Sequence, residues 1–174
     1  MVDTFMEKGF TYFDTAYVYI GGKSEVALKE AVVDRYPRDS FQCATKLPLW
    51  DLKEPQEMEK IFQESLDRAG LEYYDFYLLH AMSAERVAKA DELGAWDFMK
   101  RLKAEGRAKH IGFSFHDTAE ALEDILKAHP EMEFVQLQIN YVDWESESVQ
   151  SRKCYEVARK YNKPVIIMEP VRGG

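Results

Sequence analysis

The amino-acid sequence predicts an α/β protein built on a parallel β-sheet. Six short apolar runs, rich in β-branched and aromatic residues, have the length and composition of buried strands. Their ranges are 10–16, 41–47, 74–81, 108–115, 134–142 and 164–170. Both faces of these runs are mostly apolar, as expected for a parallel sheet covered by helices. A strand recurs about every 25 to 35 residues, which is the spacing of right-handed strand–helix–strand crossovers.

The segments between the strands carry apolar residues at helical spacing. Residues 55–69 predict a helix with Pro55 in its first turn. Its apolar face holds Met58, Ile61, Phe62 and Leu66. A second helix is predicted after the capping pattern Asp117-Thr-Ala-Glu120. A third has one face made of Cys154, Val157, Ala158 and Tyr161. That spacing predicts that the Cys154 thiol is a core group.

Two architectures alternate strands and helices in this way, the open doubly wound sheet and the closed (β/α)8 barrel. A dinucleotide-binding open sheet requires a G-x-G-x-x-G turn after its first strand, and "AYVYIGGKSE" lacks it. The barrel is therefore favoured. A complete barrel has eight strands in roughly 250 residues, whereas this chain has 174 residues and opens on the short helix "DTFMEKGF". The prediction for 1–174 is a single partial TIM-barrel domain without the first and eighth strands.

Composition excludes several classes of partner. The chain has 31 acidic and 23 basic residues, a net charge of −8, and no basic run with interleaved aromatic residues. Such a surface repels a phosphate backbone, so no nucleic acid is expected. Cys43 and Cys154 are far apart and lack metal-ligand spacing, which predicts no metal site and a cytoplasmic location. The sequence contains no run of about 18 apolar residues, so no membrane-spanning segment is predicted.

Titratable residues end three successive predicted strands. They are Asp14, Lys46 and His80, and Tyr19 follows Asp14 in the loop. Because the C-terminal ends of parallel barrel strands share one face, these side chains are expected to converge. A buried lysine is costly unless it is paired, and Asp14 on the neighbouring strand is the expected partner.

These four groups suit the reduction of a carbonyl. Hydride adds to the carbon, and the oxygen must then receive a proton. An unperturbed tyrosine, with a pKa near 10, is a weak acid for this step, but an adjacent ammonium favours the phenolate form. Lys46 is the predicted ammonium, and Asp14 orients it. Tyr19 is therefore the predicted general acid, with His80 orienting the carbonyl oxygen by a hydrogen bond.

The motifs "FDTAYVY", "ATKLP", "LLHA", "IGFS" and "QLQIN" occur in this order along essentially the whole chain. With these motifs the sequence resembles the aldo-keto reductases. The resemblance implies that Asp14, Tyr19, Lys46 and His80 form a catalytic tetrad. Tyr17 is the competing tyrosine, but the family spacing of five residues after the aspartate selects Tyr19.

The resemblance also implies a nicotinamide dinucleotide, NADP or NAD with NADP favoured, lying across the strand ends. Its carboxamide is expected at Ser114 and Gln138. Many family members have asparagine after that serine, whereas this chain has Phe115, so one contact is absent or is replaced by His116. The expected substrate is a small carbonyl compound.

Two further cofactor positions are expected near the last strand. Met168 stands where an aromatic residue usually stacks on the nicotinamide, and a thioether also packs on a ring face. Arg172, with Gly173 and Gly174, either approaches the pyrophosphate or forms a plain turn.

Two other functions remain open at this point. Lys46 at a strand end is also compatible with a Schiff-base lyase of the class I aldolase type, in which Asp14 and Tyr19 shuttle protons. The chain is alternatively a cofactor-binding regulatory protein without useful turnover. For 1–174 alone, unpaired edges at 10–16 and 164–170 predict self-association and little or no activity.

Overall fold

A computed structural model describes residues 1–172 and contains one six-stranded parallel sheet. The strands are Tyr12–Asp14 (β1), Gln42–Leu47 (β2), Tyr74–Met82 (β3), Ala108–Phe115 (β4), Phe134–Gln138 (β5) and Val165–Met168 (β6). Their spatial order is the chain order, and all five pairings are parallel. A doubly wound sheet would reverse its order at an internal strand. The predicted six parallel strands of a partial barrel are therefore confirmed.

Helices connect the strands and cover the outer face of the sheet. They are Val2–Glu7 (α1), Ser24–Leu28 (α2), Gln56–Ala69 (α3), Ala84–Leu93 (α4), Ala95–Ala104 (α5), Ala119–Ala128 (α6) and Ser151–Lys160 (α7). A π-helical turn, Lys29–Val33, extends α2, and 3-10 turns occupy Tyr19–Gly22 and Arg38–Ser40. Within residues 1–172, no helix is long and apolar enough to cross a membrane.

Three of the predicted strands are shorter than expected. The first and last paired segments are Tyr12–Asp14 and Val165–Met168. The fifth ends at Gln138, four residues before the predicted end at 142. The reason lies in Asn140, whose side-chain oxygen accepts the backbone N–H groups of Val142 and Asp143 at 3.0 and 2.9 Å. This side-chain bonding replaces the sheet pairing with a turn.

Three helix predictions can be compared with the structure directly. Pro55 is the residue before α3, which begins at Gln56, one residue later than the predicted start. The cap of α6 is Thr118, whose hydroxyl accepts the Ala121 N–H at 3.3 Å, one residue after the predicted capping position. Asp117 instead accepts the N–H of Ala84 at 2.9 Å, at the start of α4. Cys154 lies in α7 and is buried, as predicted.

The sheet separates a large outer core from a small inner one. The outer core packs the helices against the convex face of the sheet. The inner core contains Ala44, Leu78 and Phe134 on the concave face. Gly112 is needed there, because a Cβ atom at this position would lie 2.4 Å from the Phe134 carbonyl oxygen.

The curvature of the sheet brings its first and fifth strands into contact across the concave face. The Gln136 side chain on β5 donates a hydrogen bond of 2.9 Å to Asp14 on β1. A flat sheet would hold these strands about four strand spacings of 4.8 Å apart. The sheet is thus a curled half-barrel, and its C-terminal strand ends surround one polar space.

Candidate active site at the strand ends

Lys46 is the centre of the polar cluster at this end of the sheet. Its Nζ atom lies 2.5 Å from Asp14 Oδ1, 2.8 Å from the Thr15 carbonyl oxygen and 3.3 Å from the Tyr19 hydroxyl. Lys46 is only 1% exposed. The three oxygen partners match the three N–H bonds of an ammonium group, which is the pairing that makes a buried lysine tolerable.

Asp14 is held on its second oxygen as well. Its Oδ2 accepts the Gln136 amide at 2.9 Å and the Tyr12 hydroxyl at 3.4 Å. Gln136 is buried. The carboxylate is therefore oriented by a cation on one side and by neutral donors on the other.

The two candidate tyrosines face different parts of the molecule. The Tyr17 hydroxyl donates to Glu64 on α3 at 2.6 Å, so it points into the helical layer. Tyr19 points to Lys46, and 38% of its surface is exposed. The geometry therefore favours Tyr19, since of the two tyrosines only this one combines contact with the buried Lys46 and an exposed part of its side chain.

The loop that carries Tyr19 is anchored by Arg68 of α3. The Arg68 guanidinium lies 4.2 Å from the centre of the Tyr17 ring, and its Nη1 donates to the Tyr17 carbonyl at 3.3 Å. It is 3.6 Å from the carboxylates of both Glu25 and Glu64. Glu25 is fully buried and accepts the Thr45 hydroxyl at 2.7 Å. This network ties the loop to α2, α3 and β2.

His80 lies against Tyr19 at the end of β3. The ring centres are 5.6 Å apart in an edge-to-face arrangement, and the Trp50 ring centre lies 5.2 Å from that of the imidazole. Burial, with the positive charge of Lys46 as the next cause, lowers the pKa of His80 to about 4. The imidazole is therefore neutral near pH 7, with one N–H to donate. Its Nδ1 atom is buried and has no hydrogen-bond partner in the part of the chain that the structure describes.

Ser114 and Gln136 are neighbours beside these four residues. Their Cα positions are paired in the register of β4 and β5. Ser114 Oγ accepts the Ala81 N–H at 2.7 Å, so the hydroxyl proton is left for another acceptor. Gln136 Oε1 is buried and finds no partner among residues 1–172. Together they present one hydrogen-bond donor and one acceptor.

The other predicted cofactor residues meet at Asp143, just beyond β5. Asp143 Oδ2 accepts from Gln138 at 2.9 Å and from Asn140 at 2.8 Å, and Arg172 Nε lies 3.5 Å away. Hydrogen bonds from Asn140 and Gln138, together with the charge of Arg172, lower the pKa of Asp143. Met168 is the register partner of Gln138, so the three candidates are adjacent. The expectation for Gly173 and Gly174 lies outside the described residues.

Phe115 and His116 occupy different environments. Phe115 is buried in the outer core, with its ring centre 6.3 Å from that of Phe113, so it does not face the polar space. His116 lies just past β4, where its backbone N–H donates to the Met82 carbonyl oxygen at 3.2 Å. Burial lowers the pKa of His116.

Sequence reasoning missed Gln136 and Trp50. Residues two apart on a strand share a face, so the "QLQ" alternation indicates that Gln136 and Gln138 point to the same side. Trp50 carries no such signal, because it lies in a loop whose course is set by tertiary packing. In the region covered by residues 1–172, no group of three acidic, histidine or cysteine residues is placed to hold a metal ion.

Comparison with known proteins gives a consistent assignment. The model of the Aldo/keto reductase family matches residues 1–174. A probable aldo-keto reductase 1 from Glycine max is 32% identical over 146 residues, covering 79% of this chain and 39% of the relative. An aldo-keto reductase from Mycobacterium tuberculosis is 33% identical over 143 residues, covering 82% of this chain and 46% of the relative. The chain thus spans less than half the length of these curated relatives.

Solved structures show the same fold. The crystal structure of an aldo/keto reductase from Brucella melitensis superposes with a TM-score of 0.74 at 24% identity, covering 98% of this chain and 62% of that one. The crystal structure of an aldo-keto reductase from Klebsiella pneumoniae in complex with NADPH superposes with a TM-score of 0.70 at 23% identity, covering 92% of this chain and 52% of that one.

Proposed function

Because this chain belongs to the aldo/keto reductase family, we propose that the protein reduces an aldehyde or ketone to an alcohol, with NADPH or NADH as the hydride donor. The observation that carries the proposal is the hydroxyl of the partly exposed Tyr19, which lies 3.3 Å from the buried Lys46 ammonium. A proton donor and the cation that would stabilise its conjugate base thereby lie together at the C-terminal end of the sheet.

The proton step follows from this contact. When bound, the cofactor supplies a hydride with its electron pair to the carbonyl carbon. The C=O π electrons pass to the oxygen, which takes the Tyr19 proton, and the O–H bond electrons stay on the phenolate. Lys46 stabilises that phenolate, and because Lys46 is 1% exposed, water weakens the attraction little. General acid catalysis of this kind contributes roughly 10² to 10⁴ in rate.

His80 and Asp14 have supporting roles in this proposal. The neutral imidazole of His80 donates its N–H to the carbonyl oxygen and thereby fixes the approach of the carbonyl to Tyr19. Asp14 holds the Lys46 ammonium at 2.5 Å. The carboxylate is itself fixed by Gln136, so the lysine has one preferred position.

The strand ends fit a nicotinamide carboxamide. The free proton of the Ser114 hydroxyl suits the carboxamide oxygen, and the unpartnered Gln136 Oε1 suits its NH₂ group. We therefore assign Gln136 to this contact beside Gln138, whose own amide donates to Asp143. Met168 would pack on the ring, and Arg172 would lie toward the pyrophosphate. NADP is favoured because a structural neighbour is described with NADPH.

The test is transfer of isotope in the full-length protein. We expect NADPH deuterated at C4 of the nicotinamide to place one deuterium on the carbinol carbon of the product, detected by mass spectrometry. Both C4 epimers of the labelled cofactor should be supplied, since an enzyme uses only one. No cofactor consumption across aliphatic and aromatic aldehydes, or alcohol without deuterium, would contradict the proposal.

The Schiff-base alternative gains no support from the contacts of Lys46. A Schiff base needs a free amine, whereas this nitrogen directs its N–H bonds to Asp14, Thr15 and Tyr19. Borohydride trapping of a carbonyl compound on the protein distinguishes the two reactions. Cofactor binding without turnover would instead favour the regulatory alternative.

A further inference from the structure

We infer that the substrate is an oxo acid, whose carboxylate is bound by Arg86 beside Trp50 at the mouth of the candidate site. This assignment rests on the proposed function and names the part of the substrate remote from the carbonyl.

Arg86 is linked to the site through a short series of side chains. It lies in the first turn of α4, immediately after β3, the strand that carries His80. The guanidinium carbon is 5.2 Å from the centre of the Trp50 ring. That ring is in turn 5.2 Å from the imidazole of His80. A substrate whose carbonyl meets His80 and Tyr19 therefore extends along Trp50 toward Arg86.

The guanidinium is held in place by the same strand end. Its Nη1 donates to the Ala81 carbonyl oxygen. Ala81 has a positive φ of 54°, and its N–H donates to Ser114 at 2.7 Å. The backbone next to His80 is thus fixed by side chains on both sides. Within residues 1–172 this is the only hydrogen bond of the guanidinium, so the remaining N–H edge is oriented but unused, which favours ligand binding.

The charge of Arg86 is uncompensated. Among the nine arginines of the described chain, Arg86 and Arg159 alone have no carboxylate within 4 Å. Arg159 is exposed on α7, whereas Arg86 is half-buried. A partly buried cation without a counter-ion is unfavourable until an anion arrives. The charge of Arg86 also contributes to the lowered pKa of His80, so its field reaches the carbonyl end of the site.

A carboxylate suits this subsite better than a phosphate. The Trp50 ring lies near the guanidinium, and a planar carboxylate can pair in-plane with the unused N–H edge. Acidic groups are also close to the mouth. The charge of Glu169 partly offsets the burial that lowers the pKa of His116, and Asp117 accepts the Ala84 N–H in the first turn of α4. These negative charges oppose a phosphate dianion more strongly than a carboxylate monoanion.

The experiment compares acids with their neutral esters in the full-length protein. The pairs are 4-carboxybenzaldehyde with methyl 4-formylbenzoate, and 4-oxobutanoate with its methyl ester. We expect kcat/KM to favour each acid by roughly 10- to 100-fold, mainly through KM, because the charge-assisted contact is remote from the reacting atoms. Arg86→Met should bring the ratio close to one, and Arg86→Lys should give an intermediate ratio.

Lys89→Met is the matched control. It removes a cation from the same helix, but Lys89 is paired with Glu92 at 3.1 Å, so the acid-to-ester ratio should stay at the wild-type value. Equal rates on acid and ester, or an Arg86→Met ratio equal to that of wild type, would overturn the inference and leave the proposed function standing. A greater preference for glyceraldehyde 3-phosphate than for either acid would also overturn it.

A failure of the proposed function itself would look different, because then no aldehyde in either pair is reduced. In that case, NMR titration with benzoate tests whether Arg86 binds a carboxylate. The Arg86 Nε–H signal, identified by its loss in Arg86→Met, must shift on addition of benzoate. An unmoved signal would overturn the inference.

Discussion

The Lys46 ammonium lies 3.3 Å from the Tyr19 hydroxyl oxygen, although the two residues come from different strand–loop units. The same ammonium lies 4.8 Å from the centre of the Tyr19 ring. Lys46 is almost inaccessible to water, whereas Tyr19 is partly exposed. The contact therefore joins a buried charge to the hydroxyl of a partly exposed side chain.

Tyr19→Phe should lower the rate of carbonyl reduction in the full-length protein by at least roughly 10²-fold, because it removes the proposed general acid. Cofactor binding, followed by nucleotide fluorescence, should be nearly unchanged, since the hydroxyl acts on the carbonyl oxygen. Tyr17→Phe is the control, as it removes only the hydrogen bond to Glu64. More than half of the activity remaining in Tyr19→Phe would remove this residue from the mechanism.

Lys46→Met should change the shape of the pH–rate profile as well as its height. Without the cation that favours the phenolate, the alkaline limb of the reduction should move to higher pH. Lys46→Arg keeps the charge and should keep the limb near its original position. A lower plateau with an unchanged shape would show that Lys46 only positions its neighbours.

The lowered pKa of His80 predicts a dependence of stability on pH. Its folded-state value of about 4 lies below the ordinary value of about 6.5. Between these pH values the unfolded chain binds more protons than the folded one, so stability is lost as pH falls from about 6.5 to about 4. The loss attributable to His80 is on the order of 3 kcal/mol.

Urea unfolding at pH 7 and pH 4.5 measures this loss, and His80→Gln should reduce it. His110→Gln is the control, because that side chain is 49% exposed. In NMR spectra the His80 ring should remain neutral down to about pH 5. Titration of this ring near pH 6.5 would contradict the prediction.

Arg68→Met should destabilise the fold by up to about 3 kcal/mol, because it leaves the buried Glu25 carboxylate without its cation. The expected loss is at the lower end of the range for breaking a buried ion pair, because Arg68 is partly exposed and water screens its charge. The loop that carries Tyr19 should also loosen, so kcat should fall more than cofactor affinity. Urea unfolding and steady-state kinetics measure the two effects.

The double variant Arg68→Met/Glu25→Gln separates charge from packing. It removes both members of the ion pair, so it should regain part of the stability lost in Arg68→Met. A double variant no more stable than the single one would show that Glu25 does not depend on the Arg68 charge.

The isolated 174-residue chain should self-associate through its sheet edges. On β6, Ile167 is 54% exposed, and this strand pairs only with β5 within residues 1–172. Light scattering after size-exclusion chromatography should show an apparent molecular mass that rises with protein concentration. Ile167→Lys should suppress this rise, because it places a charge on the exposed edge strand. Tyr141→Lys changes an exposed residue away from the strands and is the control. A monodisperse monomer would contradict the prediction.

The strand ends were largely predictable from sequence. Buried parallel strands are recognisable from composition, and their C-terminal ends share one face, so Asp14, Lys46 and His80 were expected together. The structure brings them together with Tyr19. The five-residue spacing and the observed direction of the Tyr17 hydroxyl agree in favouring Tyr19.

Other parts of the site depend on tertiary structure that a single sequence does not encode locally. The end of β5 is set by the turn at Asn140, so the predicted strand was too long. Gln136 acquires its partner only because the sheet curls. Arg86 reaches Trp50 because α4 begins directly after β3, and a sequence pattern gives no indication of that contact.

The hydrogen bond from Gln136 to Asp14 also bears on the order in which the site forms during folding. It joins residues 122 positions apart, whereas Lys46 and Asp14 are separated by 32. Closing the longer loop costs more chain entropy, and contacts of long sequence separation slow folding. A nascent chain that has emerged as far as β3 already contains the Lys46–Asp14 pair, but Asp14 Oδ2 still lacks its shorter hydrogen bond, the one from Gln136. The constraint that Gln136 places on the candidate site is thus expected only after β5 has left the ribosome and docked.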